Sequence, residues 1–303
     1  MSQQIPAWFT EKIKDQVTIQ FQSHGGLLDN TMMSGDTQAN TVKFPLAGRS
    51  SVYKLTGAIE HIPINGPSLS TVQVTMDAYE ASELWDTLDA IRAGPNEQAA
   101  LATLITNAIR RERDLIKIRA LSAFAALGGD VTTIGDGTGT IDVLHVEQAR
   151  AQIAGTGADE SGEAQVFAAF PAMWMTQLCF YKEFADATWV GLDNAPFSKT
   201  QRMRMKTVRG VNYIEVPDEY VTEYDTGKQE AFMWHKQSMG AETPWNREAP
   251  SISPLPQLKG NIYAAKAQLM GAAIGIQGKG VKRIRMKTLT TPVRPAIHTI
   301  ADT

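Results

Sequence analysis

Residues 97–127 read EQAALATLITNAIRRERDLIKIRALSAFAAL, a helical pattern of unusual length. Leu101, Leu104, Ile105, Ala108, Ile109, Leu115, Ile116, Ala120, Phe124 and Leu127 recur every three or four residues, the period of an amphipathic helix. Asn96 is placed to cap it, and Gly128-Gly129 ends it. At about 1.5 Å per residue the helix spans roughly 45 Å, against a usual length of about 11 residues. Its broad stripe lacks a heptad lock, so it reads as a spine laid on a sheet and not as a coiled coil.

Upstream of the spine, EASELWDTLDAIRAGP predicts a short helix stopped by Gly94-Pro95. Before it, residues 41–76 carry the extended runs VKFPLAG, SVYKLTGAIEHIPI and STVQVTM, punctuated by turn signals. They predict a long two-stranded excursion, which needs something else to pack on. The first 40 residues are polar and read as an arm. Downstream come a glycine loop, DVTTIGDGTGT, a helix at DVLHVEQARAQIA, and the apolar segment QVFAAFPAMWMTQLCFYKEFADA. Strands follow at VNYIEVPDEY and EAFMWHKQSMG, then REAPSISPLPQL, whose prolines suggest a hinge. NIYAAKAQLMGAAIGIQGKGVKRIRMKTL reads as strands separated by glycine turns.

Composition narrows the function. The 303 residues are 43% hydrophobic and 20% charged, as in a globular protein with a real core. A net charge of −3 argues against a dedicated polyanion binder, so any basic patch must be local. The single cysteine, Cys179, excludes an intramolecular disulfide and reads as a small buried hydrophobe. MSQQIPAWFTEKIKDQV has neither the basic start nor the apolar core of a signal peptide, and no apolar run suits a membrane span; folding in a cytoplasm is expected.

Catalytic patterns are weak. The histidines His24, His61, His145, His235 and His298 do not have the spacing of metal ligands. Ser51 and Lys54 form a Ser-x-x-Lys match without the partner motifs of acyl-serine enzymes. GAAIGIQGKG fails as a phosphate loop, because Ala273 and Gly280 stand where glycine and a Ser or Thr are needed. No cofactor or metal is expected. RMRMKTV (202–208) and RIRMKTL (283–289) echo each other, but their flanks do not, so they are not a repeat. Each predicts a strand with Met or Ile inward and Arg or Lys outward.

In the order of its parts, an α+β chain with arm, extended loop, spine helix and mixed domain, the sequence resembles the major capsid proteins of tailed bacteriophages, the Hong Kong 97-type fold. The resemblance is carried by FQSHGGLLDNTMMSGDTQANTVKFPLAGR, by the Glu97 to Leu127 spine, and by AFMWHKQSMGAETPW followed by KAQLMGAAIGIQGKGVKRI. It implies an N-terminal arm (1–40), an extended loop (41–76), a peripheral domain (77–139 and 256–303, with a C-terminal tail) and an axial domain (140–255). The two basic strands would then belong to different domains.

The implied function is mechanical: hexamers and pentamers closing an icosahedral shell around double-stranded DNA, with no enzymatic role. Lys43, Arg49 and Lys54 would lie in a loop overlapping a neighbouring subunit. Arg110, Arg111 and Arg113 are candidate inner-surface DNA contacts, with solvated ion pairing such as Arg110 to Asp114 as the simpler reading. The partners implied are a portal and scaffolding from a separate protein or from a segment already removed, with a decoration protein left open, and the virion is the implied location. An encapsulin-like nanocompartment uses the same tile around a protein cargo, and a serine hydrolase built on Ser51 and Lys54 is the alternative from another class.

Overall fold

Helix α1 runs from Pro95 to Ala126 in a computed structural model of the chain, which describes residues 22–50, 52–54, 66, 68–86, 95–158, 165–181, 184, 205–255, 257 and 262–293. Proline in the first turn costs nothing, because its missing N–H would have had no helical partner. At the far end Gly128 and Gly129 both adopt left-handed backbone, which glycine alone enters without strain. The described residues of Met1–Leu27, Asp77–Ile116 and Thr243–Gly271 form one compact unit, and those of Leu28–Met76, Lys117–Glu242 and Ala272–Thr303 a second.

The first unit sets the earlier part of α1 beside a three-stranded sheet. Strands β4 (Asp77–Asp86), β11 (Met239–Pro254) and β12 (Ile262–Gly275) lie in the order β11-β12-β4, although only parts of β11 and β12 belong to this unit. This corrects three expectations. The short helix predicted around Leu84 is strand at residues 81–86, because β4 pairs antiparallel with β12 from Asp77↔Gly271 to Asp86↔Ile262; residues 87–94 lie outside the described set. Ten residues of ladder outweigh a short helical spacing. The proline-rich hinge is also strand over residues 247–254: Pro250 and Pro254 sit on β11, an edge strand, where a missing N–H breaks few ladder bonds, and Pro256 lies outside the described residues. Nor do glycines interrupt β12. It runs straight through Gly271, and Gly275 is bare because the Phe124 ring occupies the space a Cβ would need.

The second unit is built on a seven-stranded sheet of β5 (Thr132–Ile134), β6 (Val166–Pro171), β7 (Met205–Val208), β8 (Val211–Val216), β9 (Thr222–Asp225), β10 (Lys228–His235) and β13 (Val281–Lys287). The order is β5-β13-β10-β6-β8-β7, with β9 also on β10. Central β10 is buried from Glu230 to His235, as expected of a strand covered on both faces. Helices α2 (Val143–Ala154) and α3 (Ala172–Leu178) supply Val146, Ala149, Ile153, Trp174 and Leu178 to the core. Asp142 caps α2 by accepting from the Leu144 N–H. Phe170 meets Trp174 at 6.0 Å and Tyr213 at 5.9 Å between ring centroids, and Phe184 stands edge-on to Tyr213 at 5.0 Å.

The expected boundaries at 139/140 and 255/256 do not follow these units. α1 is divided at Ile116/Lys117, and β13 belongs with β10, paired from Lys228↔Lys287 to Trp234↔Val281. The two echoing basic strands therefore share one sheet, a consequence of long-range pairing that no local pattern records.

Candidate functional site

A hairpin leaves the second unit along β1 (Asp36–Gln38), β2 (Thr41–Ala47) and β3 (Leu69–Thr75), in the order β1-β2-β3. β2 and β3 pair antiparallel from Thr41↔Thr75 to Ala47↔Leu69, and the Gly48 N–H extends the ladder to the Ser68 carbonyl at 2.7 Å. Burial falls steeply outward. Val42 and Phe44 are fully buried at the root, whereas Arg49 and Lys54 are exposed and Val52 is 98% exposed. Lys43, half-buried, donates to Gln38 Oε1 at 2.6 Å and so serves the hairpin itself. Ser51 lies outside the described residues, so the Ser51 and Lys54 pair has no described geometry.

The hairpin root is held by a strap, residues 28–35, with Leu28, Thr31 and Met32 buried. Lys117 donates to the Leu28 carbonyl at 2.8 Å and pairs with Asp29 at 3.1 Å. The Trp234 indole N–H donates to the Thr31 carbonyl at 3.0 Å. Met33 exchanges 2.9 Å hydrogen bonds with Met239 and Ala241 at the start of β11.

In the first unit the three arginines of the spine are fastening residues. Arg110 Nε and Arg113 both reach Glu248 of β11 at 2.6 Å, and Arg111 donates to Gln22 at 2.6 Å. Asn246 also donates to Glu248, at 2.8 Å. Burial raises the Glu248 carboxyl, but hydrogen bonds from Asn246 and Arg110 and the charges of Arg113 and Arg110 outweigh it and hold the group below the ordinary carboxylate range. Asp114 is fully buried and accepts from the Leu27 N–H at 2.9 Å. Glu248 was not legible beforehand; it stands in what read as a proline-rich link.

The basic strands behave differently from each other. On β13 the expected alternation holds: Ile284 and Met286 are buried, Arg285 pairs with Glu230 at 3.2 Å and lies over the Tyr224 ring at 4.0 Å. On β7 it is inverted, with Lys206 buried and Met205 exposed. Lys206 donates to the Phe184 carbonyl and lies 4.2 Å from that ring's centroid. Burial pushes its ammonium pKa down, partly offset by Cys179. A lysine satisfied by a carbonyl and a ring face can occupy the side that the pattern reserves for a hydrophobe.

Among the described residues no group of three or more His, Cys, Asp or Glu is arranged to hold a metal, and no helix is long and apolar enough to cross a membrane. A cavity beneath β10, lined by Leu121, Val216, Tyr220 and Glu230 among others, measures about 10 Å³, room for one water. What the geometry does offer is extended surface: a projecting hairpin and a sheet that exposes Leu84, Trp245 and Ile252.

Comparison with known proteins agrees. A family model described as "Phage capsid protein" matches residues 5–288. The structure is similar to the capsid of the Cyanophage P-SCSP1u, with a TM-score of 0.66 at 11% identity over 93% of this chain and 94% of that one. For the capsid of Ralstonia phage GP4 the TM-score is 0.68 at 11% identity, covering 96% of this chain and 100% of that one. For the capsid of a native GTA particle it is 0.61 at 9% identity, over 91% and 95% of the two chains. No curated protein is significantly similar in sequence.

Proposed function

The chain belongs to the phage capsid protein family and is a major capsid protein of the Hong Kong 97-type α+β fold, a structural subunit of an icosahedral shell, and from that premise we propose how its parts serve assembly. Copies associate as hexamers and pentamers. The β1–β3 hairpin is the inter-subunit loop, with Arg49 and Lys54 at its exposed end and Lys43 stiffening it. The first unit supplies the peripheral domain and the seven-stranded sheet the axial domain. A separate scaffolding protein, a portal and a decoration protein act on this subunit in the host cytoplasm, and the shell encloses double-stranded DNA.

The observation that carries the reading is the hairpin, fully buried at Val42 and Phe44 and increasingly exposed beyond them, with Leu69 76% and Val52 98% exposed. A two-stranded ribbon of this kind gains stability by docking, and each copy of a closed shell offers the next one a surface. Arg110 and Arg113 keep their structural role, since a phosphate would have to displace Glu248. A mildly acidic subunit suits a wall along which DNA must slide.

Negative-stain microscopy of the purified chain tests the reading. Shells or capsomer rings are expected, and a persistent small oligomer would defeat it. Double-stranded DNA inside particles from infected cells is expected; a protein cargo without DNA would favour a nanocompartment.

A further inference from the structure

Phe44 is the last fully buried side chain of β2 before the hairpin leaves the body: Pro45 and Ala47 are exposed and Leu46 is half-buried. Its ring is seated against two glycines from elsewhere in the unit. A Cβ on Gly240, at the start of β11, would lie 2.5 Å from Phe44 Cζ, and a Cβ on Gly35 would lie 2.6 Å from Cε1. Neither glycine has left-handed backbone, so space and not conformation excludes a side chain at both positions. The two glycines are themselves held. Met33, two residues before Gly35, forms a parallel bridge to Gly240, and the Gly35 N–H donates to Glu242 Oε2 at 3.3 Å. On the hairpin, Phe44 is registered opposite Val72, so the ring ties both long strands to one seat.

We propose that Phe44, Gly35 and Gly240 are positioning residues of shell assembly: the ring is a pin that sets the angle at which the hairpin leaves the body, and so where its far end meets a neighbouring copy. The inference rests on the reading of the hairpin as the inter-subunit loop. Each residue of β2 beyond the pin adds about 3.3 Å of lever, so a tilt at Phe44 is magnified along the strand. Close-packed seats of this kind shift between discrete arrangements and do not deform smoothly. Gly240→Ala drives a methyl into the ring and tilts the hairpin. Phe44→Leu removes the ring without adding atoms and loosens it.

The test reads the angle and the assembly separately, in the full chain. Spin labels on Leu69→Cys of the hairpin and Leu144→Cys of α2, both exposed, in a Cys179→Ser background report the hairpin's direction by pulsed dipolar spectroscopy. A shifted mean distance is expected for Gly240→Ala, and a distribution broadened by about twofold for Phe44→Leu, as a discrete seat is lost. In unlabelled chains closed shells should fall by about tenfold for Gly240→Ala, with open or misshapen particles in their place, and recover in the double variant Gly240→Ala/Phe44→Leu. Unchanged distances in both single variants overturn the pin. Changed distances with wild-type shells overturn the hairpin's role in assembly and leave the pin as a local feature only. If Gly240→Ala yields no folded subunit, the distance distribution of Phe44→Leu decides alone.

Discussion

The seven-stranded sheet closes around Phe170, Trp174, Phe184 and Tyr213, whereas the sheet β11-β12-β4 leaves Leu84 64%, Trp245 46% and Ile252 57% exposed and reaches α1 through Glu248, whose carboxylate takes Arg110 and Arg113 and whose carbonyl accepts from Thr106. The first region owns its core. The second has a spine, a sheet and a polar clasp, with apolar area left over. Exposed apolar residues beside a polar clasp are the composition of an interface before its partner arrives. Under the proposed function the difference is a division of labour: the seven-stranded sheet is packed within the subunit, and the sheet β11-β12-β4 is covered by its neighbours.

The largest effect should come from the core. Phe170→Ala removes a fully buried ring touching Trp174 and Tyr213, and should cost about 3–5 kcal/mol, seen as a large drop in chemical-denaturation midpoint. A loss below about 1 kcal/mol would mean that the core tolerates a hole, and the contrast between the units would fail.

Glu248→Ala attacks the clasp. It strands two arginines at partly exposed positions, so the expected loss is about 1–2 kcal/mol, with the aromatic near-ultraviolet signal of the second unit retained. A loss as large as that of Phe170→Ala, with collapse of that signal, would show that the first unit is not separable in stability. The clasp also carries a pH signature. Because the Glu248 pKa is lowered in the folded chain, its contribution is complete above the ordinary glutamate value of about 4.3 and is lost as pH falls through the lower folded value. Comparing acid titrations of the wild type and Glu248→Gln should isolate that component; identical acid limbs would rule it out.

The smallest effect on the subunit should come from the exposed end of the hairpin. The double variant Arg49→Ala/Lys54→Ala should change subunit stability by less than about 0.5 kcal/mol, since neither side chain is buried. Shell yield, measured by sedimentation, should fall all the same. Equal yields would remove these two residues from the inter-subunit contact.

Much of this was legible in the chain. The spine announced itself through a 3.6-residue period sustained for eight turns' worth of apolar positions, and the structure places it at Pro95–Ala126. The helix Val143–Ala154 and the outer strands of the 41–76 excursion, β2 and β3, were equally clear. The failures share one cause. Leu84, Pro250, Lys206 and β13 were each judged by their neighbours in sequence, and each was decided by a partner far away: β12, an edge position, the Phe184 carbonyl and β10. The clasp and the pin were invisible for the same reason. Glu248 is 138 residues from Arg110, and Gly240 meets Phe44 across most of the chain.

By itself, then, the sequence determined the elements whose signal is local: helix period, strand alternation and glycine stops. The order in which it reads was enough to suggest the family. Only the tertiary structure decided which strands share a sheet, where one compact unit yields to the other, which charges are buried and which glycines make room for a ring. The physical reason is that side-chain period is written along the chain, whereas pairing and packing depend on residues the chain brings together only when it folds.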